Sequence, residues 1–283
     1  MMSFFHDMTQ SWTKPTAGAG RRIAHFPRSW VGAWCLSLAF GACAADEPPA
    51  GGDHLVLGPG FYSEPSYPGA RRTRELLLPF VDAEYADRLY TSATDLLGVY
   101  AFKSAGTQLG AALEYDLTER RARDDARFHD LRDIKETARL KWFATKTVSF
   151  VTGDANVATD VTGGHQGTLA QSNIWFSTPL VPKSLISVGP GMTWADARYM
   201  RTFFTITPAQ AAVSPLPVYT AQAGVVDVHW NGLATYEISS RWSIGASDYL
   251  GRLHGDARHS PVTLRRAQQT AFAWLAYKIG SID

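Results

Sequence analysis

The chain has 283 residues, with 27 Lys and Arg against 26 Asp and Glu, and this near-neutral balance offers no basic face or motif for nucleic acid. Its two cysteines, Cys35 and Cys43, both lie near the N-terminus, so the rest of the chain has no disulfide and no thiolate metal site. After Phe40 no apolar run approaches the roughly 20 residues that a spanning helix needs, which leaves an exported soluble domain or a transmembrane barrel.

The N-terminus reads as a secretory signal. Arg21, Arg22 and Arg28 precede the apolar run Trp30 to Phe40, and Ala42-Cys43-Ala44 offers small residues for signal peptidase. The apolar run is too short for a membrane anchor, and Phe40 stands where a lipoprotein signal usually has Leu. Cleavage after Ala44 leaves 239 residues that start with a short polar, Pro-rich segment, 45–53. The mature chain then carries 23 basic and 25 acidic residues, a formal charge of −2.

Short strand candidates follow at about 54–61, 74–85, 88–93, 97–103 and 107–115. The tract Glu119 to Glu136 mixes both signs of charge, including Arg120, Arg121, Arg123, Asp124 and Asp125. It reads as a solvated loop, or as a salt-sensitive docking surface.

From Thr137 to Val151 the period is two residues. Ala138, Leu140, Trp142, Ala144, Val148 and Phe150 share one face and Thr137, Arg139, Lys141, Thr145, Thr147 and Ser149 the other. Lys146 interrupts the apolar face; a lysine facing lipid costs about 2 to 4 kcal/mol at the midplane and little at the interface, so a barrel requires Lys146 near a rim. Phe143 on the polar face is a second exception.

Further strands are expected at about 165–177, 184–194 and 198–206, with a bulge at Pro190, which cannot donate to a ladder. Thr207-Pro208-Ala209-Gln210 carries a capping residue, a first-turn proline and a Gln at the third position, so a short helix starts there and ends by Ser214.

Val218 to Ala246 reads as a hairpin about Asn231-Gly232. A three-residue turn, Trp230-Asn231-Gly232, pairs Val228 with Ala234 and Val226 with Tyr236 and keeps residues of equal parity opposite each other. Ala234, Tyr236, Ile238, Trp242 and Ile244 form the apolar face of the second arm, broken only by Ser240. About ten alternating residues are what a tilted strand needs to cross a bilayer, and soluble strands stop at about five or six. A last strand is expected at 265–279, ending in Tyr277, Lys278 and Ile279 with a short tail behind it, 281–283.

These elements make one domain, an all-β antiparallel transmembrane β-barrel over 54–280 of about 12 strands, with 10 as the alternative. Short connections at Ala86-Asp87, Ser104 to Gly106, Ala195 to Ala197 and Trp230 to Gly232 alternate with longer ones at 62–73, 116–136, 178–183, 207–217 and 247–264, as in outer-membrane barrels. Two connections break the pattern: Thr152 to Gly164 is long on the short side, and Thr94 to Leu96 is short on the long side.

Gly189-Pro190-Gly191-Met192-Thr193-Trp194-Ala195-Asp196-Ala197-Arg198-Tyr199-Met200 closely resembles the MipA/OmpV family of outer-membrane proteins. So do Thr207-Pro208-Ala209-Gln210-Ala211, Tyr67-Pro68-Gly69, and Leu253-His254-Gly255-Asp256-Ala257-Arg258-His259-Ser260-Pro261, in the family's order. Two tracts depart from it. Phe128 to Ile134 is charged where the family tends to be glycine-rich, and the last strand lacks the terminal aromatic that barrels commonly carry. The resemblance implies a monomeric barrel in a Gram-negative outer membrane. It also implies a non-enzymatic scaffold joining a murein-degrading lytic transglycosylase to a penicillin-binding protein, with no catalytic residue and no cofactor to transfer.

Two other functions compete. His254, Asp256, His259 and Ser260 crowd one loop, where a Ser, a His and an acid are the parts of a hydrolase, though their spacing matches no motif that fixes the geometry; a hydrogen-bonded structural loop is the plainer reading. His254 and His259 five residues apart impose no metal geometry, and His165 and His229, alone in strands, read as inward polar residues or interface residues rather than ligands. Arg139, Lys141 and Arg241, with Glu237 as a counter-charge, would line the lumen of a small-solute pore, or fill it with salt bridges. N-terminal sequencing of the exported protein is expected to read from Ala45.

Overall fold

The computed structural model describes residues 53–279 apart from 130 and 165, so the signal, most of the polar segment, His165 and the C-terminal tail lie outside the described residues. Twelve antiparallel strands close into a barrel: β1 His54–Pro65, β2 Thr73–Tyr85, β3 Leu89–Thr91, β4 Asp95–Ser104, β5 Thr107–Asp116, β6 Thr137–Val148, β7 Val151–Asp160, β8 Thr168–Thr178, β9 Ser184–Ala195, β10 Gly224–Glu237, β11 Trp242–Leu253 and β12 Ala267–Ile279. Each strand pairs with the next, and β12 returns to β1 through Leu55 opposite Ile279 and Ser63 opposite Ala271.

The expected count of twelve is met through two compensating errors. The segment expected as the long connection Thr152 to Gly164 is mostly β7, and the strand expected at 198–206 is a helix, α1 Ala197–Phe204. Asp196 caps it, its Oδ1 accepting the Tyr199 N–H at 2.8 Å, and Tyr199, Met200, Phe203 and Phe204 recur at helical spacing on its buried side. With β7 restored, connections alternate around the ring with one exception, the three-residue link 92–94 between β3 and β4, which is short on the long-loop end as expected. One end carries 66–72, 117–136, 161–167, 196–223 and 254–266; the other carries the short turns 86–88, 105–106, 149–150, 179–183 and 238–241, so 178–183 belongs to the short side. In the expected Ala86-Asp87 turn both residues take left-handed φ, 54° and 52°.

Strand faces follow the period of two. Along β6, Leu140, Trp142, Ala144 and Val148 face outward while Arg139, Lys141 and Phe143 are buried inside. Lys146 faces outward one turn from the short-turn rim, its Nζ donating to Thr107 Oγ1 at 2.7 Å, as a barrel requires.

The hairpin is displaced from its expected place. β10 runs straight through Asn231-Gly232, Tyr236 pairs with Ile244 and Ala234 with Ala246, and the turn is Ile238 to Arg241. Ser240, the break in the apolar face, marks that turn, and Ser239 Oγ accepts the N–H of Trp242 at 3.1 Å. Asn231 is held mid-strand because its amide points into the lumen and donates to Asn173 Oδ1 at 2.9 Å. The equal-parity argument fails at the other end as well. A register shift between Val225 and Asp227 turns Val226 inward while Val228 stays outside.

Pro190 produces no bulge. Asn173 pairs with Gly191 and Phe176 with Val188 in one register, and only the rungs between them are missing. Without a proline N–H, the facing Ile174 carbonyl leans over the neighbouring glycine, where a Cβ on Gly189 would overlap its oxygen. Gly58-Pro59-Gly60 in β1 repeats the device. The rungs opposite Gly58 and Pro59 are missing without a register change, and a Cβ on Gly58 would overlap the Leu275 oxygen. The second glycine of each triplet leaves room for an inward side chain, Phe272 against Gly60 and Asn173 with His229 against Gly191.

One part of the ring is incomplete. β3 has three residues and pairs with β2 only from Ala83 to Tyr85, so among the described residues the other edge of β2 has no ladder partner from Thr73 to Asp82. Leu77, 83% exposed, stands on this stretch. Inside, the Arg74 guanidinium bridges the opening to Glu64, to the Leu117 carbonyl and, at 2.9 Å, to Glu119.

Gly189→Ala is expected to lower unfolding stability by about 1–3 kcal/mol through overlap with a backbone carbonyl, whereas Gly153→Ala, whose Cβ meets nothing within 4 Å, is expected to be neutral. Denaturant titration followed by the heat-dependent gel shift of the barrel measures both.

Candidate functional site

The long connections do not splay into solvent. Segments 66–72, 117–136, 196–223 and 254–266 fold over the barrel mouth around one apolar core that includes Tyr67, Phe128, Met200, Phe203, Phe204 and Val262. Each fully buried side chain of this kind contributes about 1.5–3 kcal/mol, so the cap is a folded unit. α1 lies at its centre. The predicted short helix follows as α2, Pro208–Val213, with Thr207 and Gln210 forming a reciprocal capping box and Ser214 ending it. A third helix, α3 Gly255–His259, closes the set.

Polar contacts lock the segments together. Tyr67 Oη donates to the Val262 carbonyl at 3.1 Å, and its ring meets Phe128 edge-on at 5.3 Å. The Gly69 carbonyl accepts the N–H groups of Leu264 and Arg265 at 2.8 and 3.0 Å. Burial pushes the Tyr67 phenol well above its ordinary range and the Arg120 guanidinium down to about 10.

The charged tract is thus only partly a solvated loop. Arg120 is buried over the Phe128 ring and donates to the Phe203 carbonyl at 3.0 Å, and Arg121 pairs with Glu119 and Glu136. Within the tract that departs from the family pattern, Phe128, Leu131 and Ile134 are buried in the cap. Arg123 and Arg132 remain exposed.

The loop expected to hold a Ser, a His and an acid is part of this cap, and the side chains of Ser260, Asp256 and His259 each have a structural partner. Ser260 Oγ, buried, donates to the Phe204 carbonyl at 2.6 Å. Asp256 Oδ2 accepts the Gln222 N–H at 2.8 Å, and His259 Nδ1 lies 2.9 Å from the Gly255 carbonyl one helical turn back. The His254 backbone N–H donates to the Val226 carbonyl at 2.7 Å. Ser260 is a strut between α1 and α3, with its proton directed at a carbonyl.

Below the cap the lumen is filled. Arg139 reaches Asp116 at 2.7 Å, the Gly167 carbonyl and Gln166 Oε1 at 3.1 Å. Lys141 pairs with Asp95 and Glu114, and Tyr90 Oη donates to Asp95 at 3.1 Å. Tyr90 and Tyr100 stack at 4.7 Å with Phe143 edge-on to both, which gives the inward Phe143 its place. Phe80 and Trp274 stack at 5.0 Å beside Phe272. Arg139 and Lys141 therefore act as interior salt-bridge partners. Arg241 does not line the lumen; it sits exposed in the short turn after Glu237 and donates to Tyr277 Oη at 3.0 Å.

His229 faces inward as expected, with partners that single-residue reading missed. Its Nδ1 lies 2.7 Å from Asp227 Oδ1 and its Nε2 2.9 Å from Asn173 Oδ1, while Asn173 Nδ2 donates to Asp154 at 2.8 Å. Asp227, two residues before His229 on the same face, was the available signal. The network ties β7, β8 and β10 together across the interior. Among the described residues no cluster of three or more His, Cys, Asp and Glu is arranged to hold a metal.

The short-turn end presents apolar side chains. Leu180 is 70% exposed and Val181 49% in the β8–β9 turn, and Ile238, 53% exposed, is in the neighbouring β10–β11 turn. The Glu237 N–H donates to the Lys183 carbonyl at 2.9 Å and joins the two turns. Ser260→Ala is expected to leave the barrel intact and to cost the cap about 1–3 kcal/mol by orphaning a buried carbonyl. Faster tryptic cleavage of 196–223 with an unchanged gel shift checks it; equal cleavage counts against the strut.

A family model described as MltA-interacting protein MipA matches residues 57–279. No curated protein matches the chain. Among solved structures it is similar to an outer membrane channel from Pseudomonas putida, at 12% identity over 84% of this chain and 98% of that one, with a TM-score of 0.40. It is also similar to a Pseudomonas aeruginosa FadL homologue, at 8% identity over 80% and 90% with a TM-score of 0.35, and to OmpT, an outer membrane protein of Vibrio cholerae, at 8% over 83% and 100% with a TM-score of 0.32. Scores below 0.5 carry no weight for function. The strands face outward with apolar side chains, the ring is closed, and the family match spans nearly all of it: this is an outer-membrane β-barrel protein in contact with lipid, and the chain belongs to the MipA family.

Proposed function

We propose that this barrel is a non-enzymatic scaffold at the inner surface of the outer membrane, holding a lytic transglycosylase and a penicillin-binding protein close to each other. The observation that carries the reading is the match over residues 57–279 to a family described as MltA-interacting. Two features of the chain agree with it. A capped mouth and a lumen filled by Arg139, Lys141 and their partners suit a stable support better than a solute pore. Leu180, Val181 and Ile238 offer an apolar contact on the side where murein enzymes work, because short turns and chain ends face the periplasm in such barrels. In this reading residues 1–44 are removed on export and 54–280 form the barrel as a monomer.

In-cell crosslinking of the tagged protein, with captured proteins identified by mass spectrometry, tests the proposal. Recovery of a lytic transglycosylase or a penicillin-binding protein above an unrelated-barrel control is expected. Combined Leu180→Ser, Val181→Ser and Ile238→Ser substitution should reduce that recovery several-fold. No enrichment, with insertion and crosslinking efficiency verified, overturns the scaffold.

A further inference from the structure

A groove of about 740 Å³ crosses the outer wall from β8 to β12 in the half nearer the cap. Its bulky walls are Ile174, Met192, Trp230 and Leu250, all outward-facing and 40% to 59% exposed. Pro190, whose ring is compact, lies between them and keeps the groove open. The apolar part therefore lies at the depth of the acyl chains in the outer leaflet, since long connections face the cell exterior.

Charge is placed at one end of this groove. Arg252 pairs in the ladder with Ala267, which sets it beside Arg265, and both arginines line the groove. Neither forms an ion pair among the described residues. Arg71 and Arg72 are exposed but line a separate cavity with Asp124 and Asp125, so Arg252 and Arg265 are the two guanidinium groups at the end of this apolar trough. Planar guanidinium groups bind phosphate in a bidentate manner.

The width selects the occupant. Five adjacent strands cover about 19 Å at roughly 4.8 Å per spacing, broader than the two chains and single phosphate of an ordinary phospholipid. A phosphorylated glycolipid with several acyl chains presents phosphates on a wide sugar headgroup, above a raft of chains of comparable breadth. We propose that this face is a specific binding site for such a glycolipid of the outer leaflet, with Arg252 and Arg265 holding a phosphate and Trp230 and Leu250 packing its chains.

The full-length protein, extracted from its own outer membrane in mild detergent, is examined by native mass spectrometry for retained glycolipid. The wild type is then titrated with purified lipid A, dephosphorylated lipid A and phosphatidylglycerol. One-to-one retention of lipid A is expected. Combined Arg252→Ser and Arg265→Ser should weaken lipid A binding roughly ten-fold or more, at about 1 kcal/mol per arginine near an anionic headgroup. Trp230→Ala should weaken it with the arginines intact, while Arg132→Ser, in an exposed part of the cap, should leave it unchanged. The heat-dependent gel shift confirms that each variant is folded. Equal affinity for phosphatidylglycerol, equal affinity for the dephosphorylated form, or unchanged binding in both groove variants overturns the proposal.

Discussion

A strand in hydrocarbon has no water for its backbone groups, so outside the open β2 edge and the two proline sites the N–H and C=O groups of the wall find their partners in the ring. That constraint sets the closure of β12 on β1 and the single register carried past both prolines. It also explains the glycines that precede Pro59 and Pro190. A proline removes a donor, the facing carbonyl must lean aside, and only a residue without a side chain leaves space for it. Two triplets, in β1 and β9, meet the same requirement in the same way.

With the wall fixed, two further layers depend on it. Inward positions receive Arg139, Lys141, Asp95 and Asp227, charges that are tolerable in the interior only as hydrogen-bonded pairs. Above them, four connections condense into a cap whose core is drawn from segments far apart in sequence, such as Tyr67 on Val262 and Arg120 on Phe203. The tracts that resemble the family meet in this cap. Gly189 to Met200 runs from the second proline triplet through the Asp196 cap into α1, and Leu253 to Pro261 supplies α3 and the Ser260 strut.

Much of this was legible where a single physical rule governs a residue. The alternation of β6, the rim position of Lys146, the capping box at Thr207 and the inward aim of Arg139 and His229 all follow from periodicity or local hydrogen bonding. The failures have two causes, tertiary context overriding a local signal and local signals that are weak or misread. Asn231-Gly232 has turn chemistry, yet a lumen partner for the Asn231 amide keeps it in a strand. Residues 198–206 do not alternate; Tyr199, Met200, Phe203 and Phe204 recur at helical spacing and form the buried side of α1. Thr152 to Asp160 reads as polar loop because its apolar residues are few and small. The charged 119–136 tract hides its anchors, Phe128, Leu131 and Ile134, among ions.

The three-residue β3 gives the barrel an uneven belt. Along β2 from Thr73 to Asp82 one edge lacks a ladder partner among the described residues, and peptide groups left bare in hydrocarbon cost several kcal/mol each. Water and headgroups reaching that edge would lower this cost, which favours a thinner bilayer on the β2 flank than against the continuous wall of β8 to β12. Such a barrel has a front and a back as seen by its lipids. Mismatch costs of a fraction of a kcal/mol per ångström are enough to bias which flank it turns toward thin or disordered membrane, and so which neighbours it meets there.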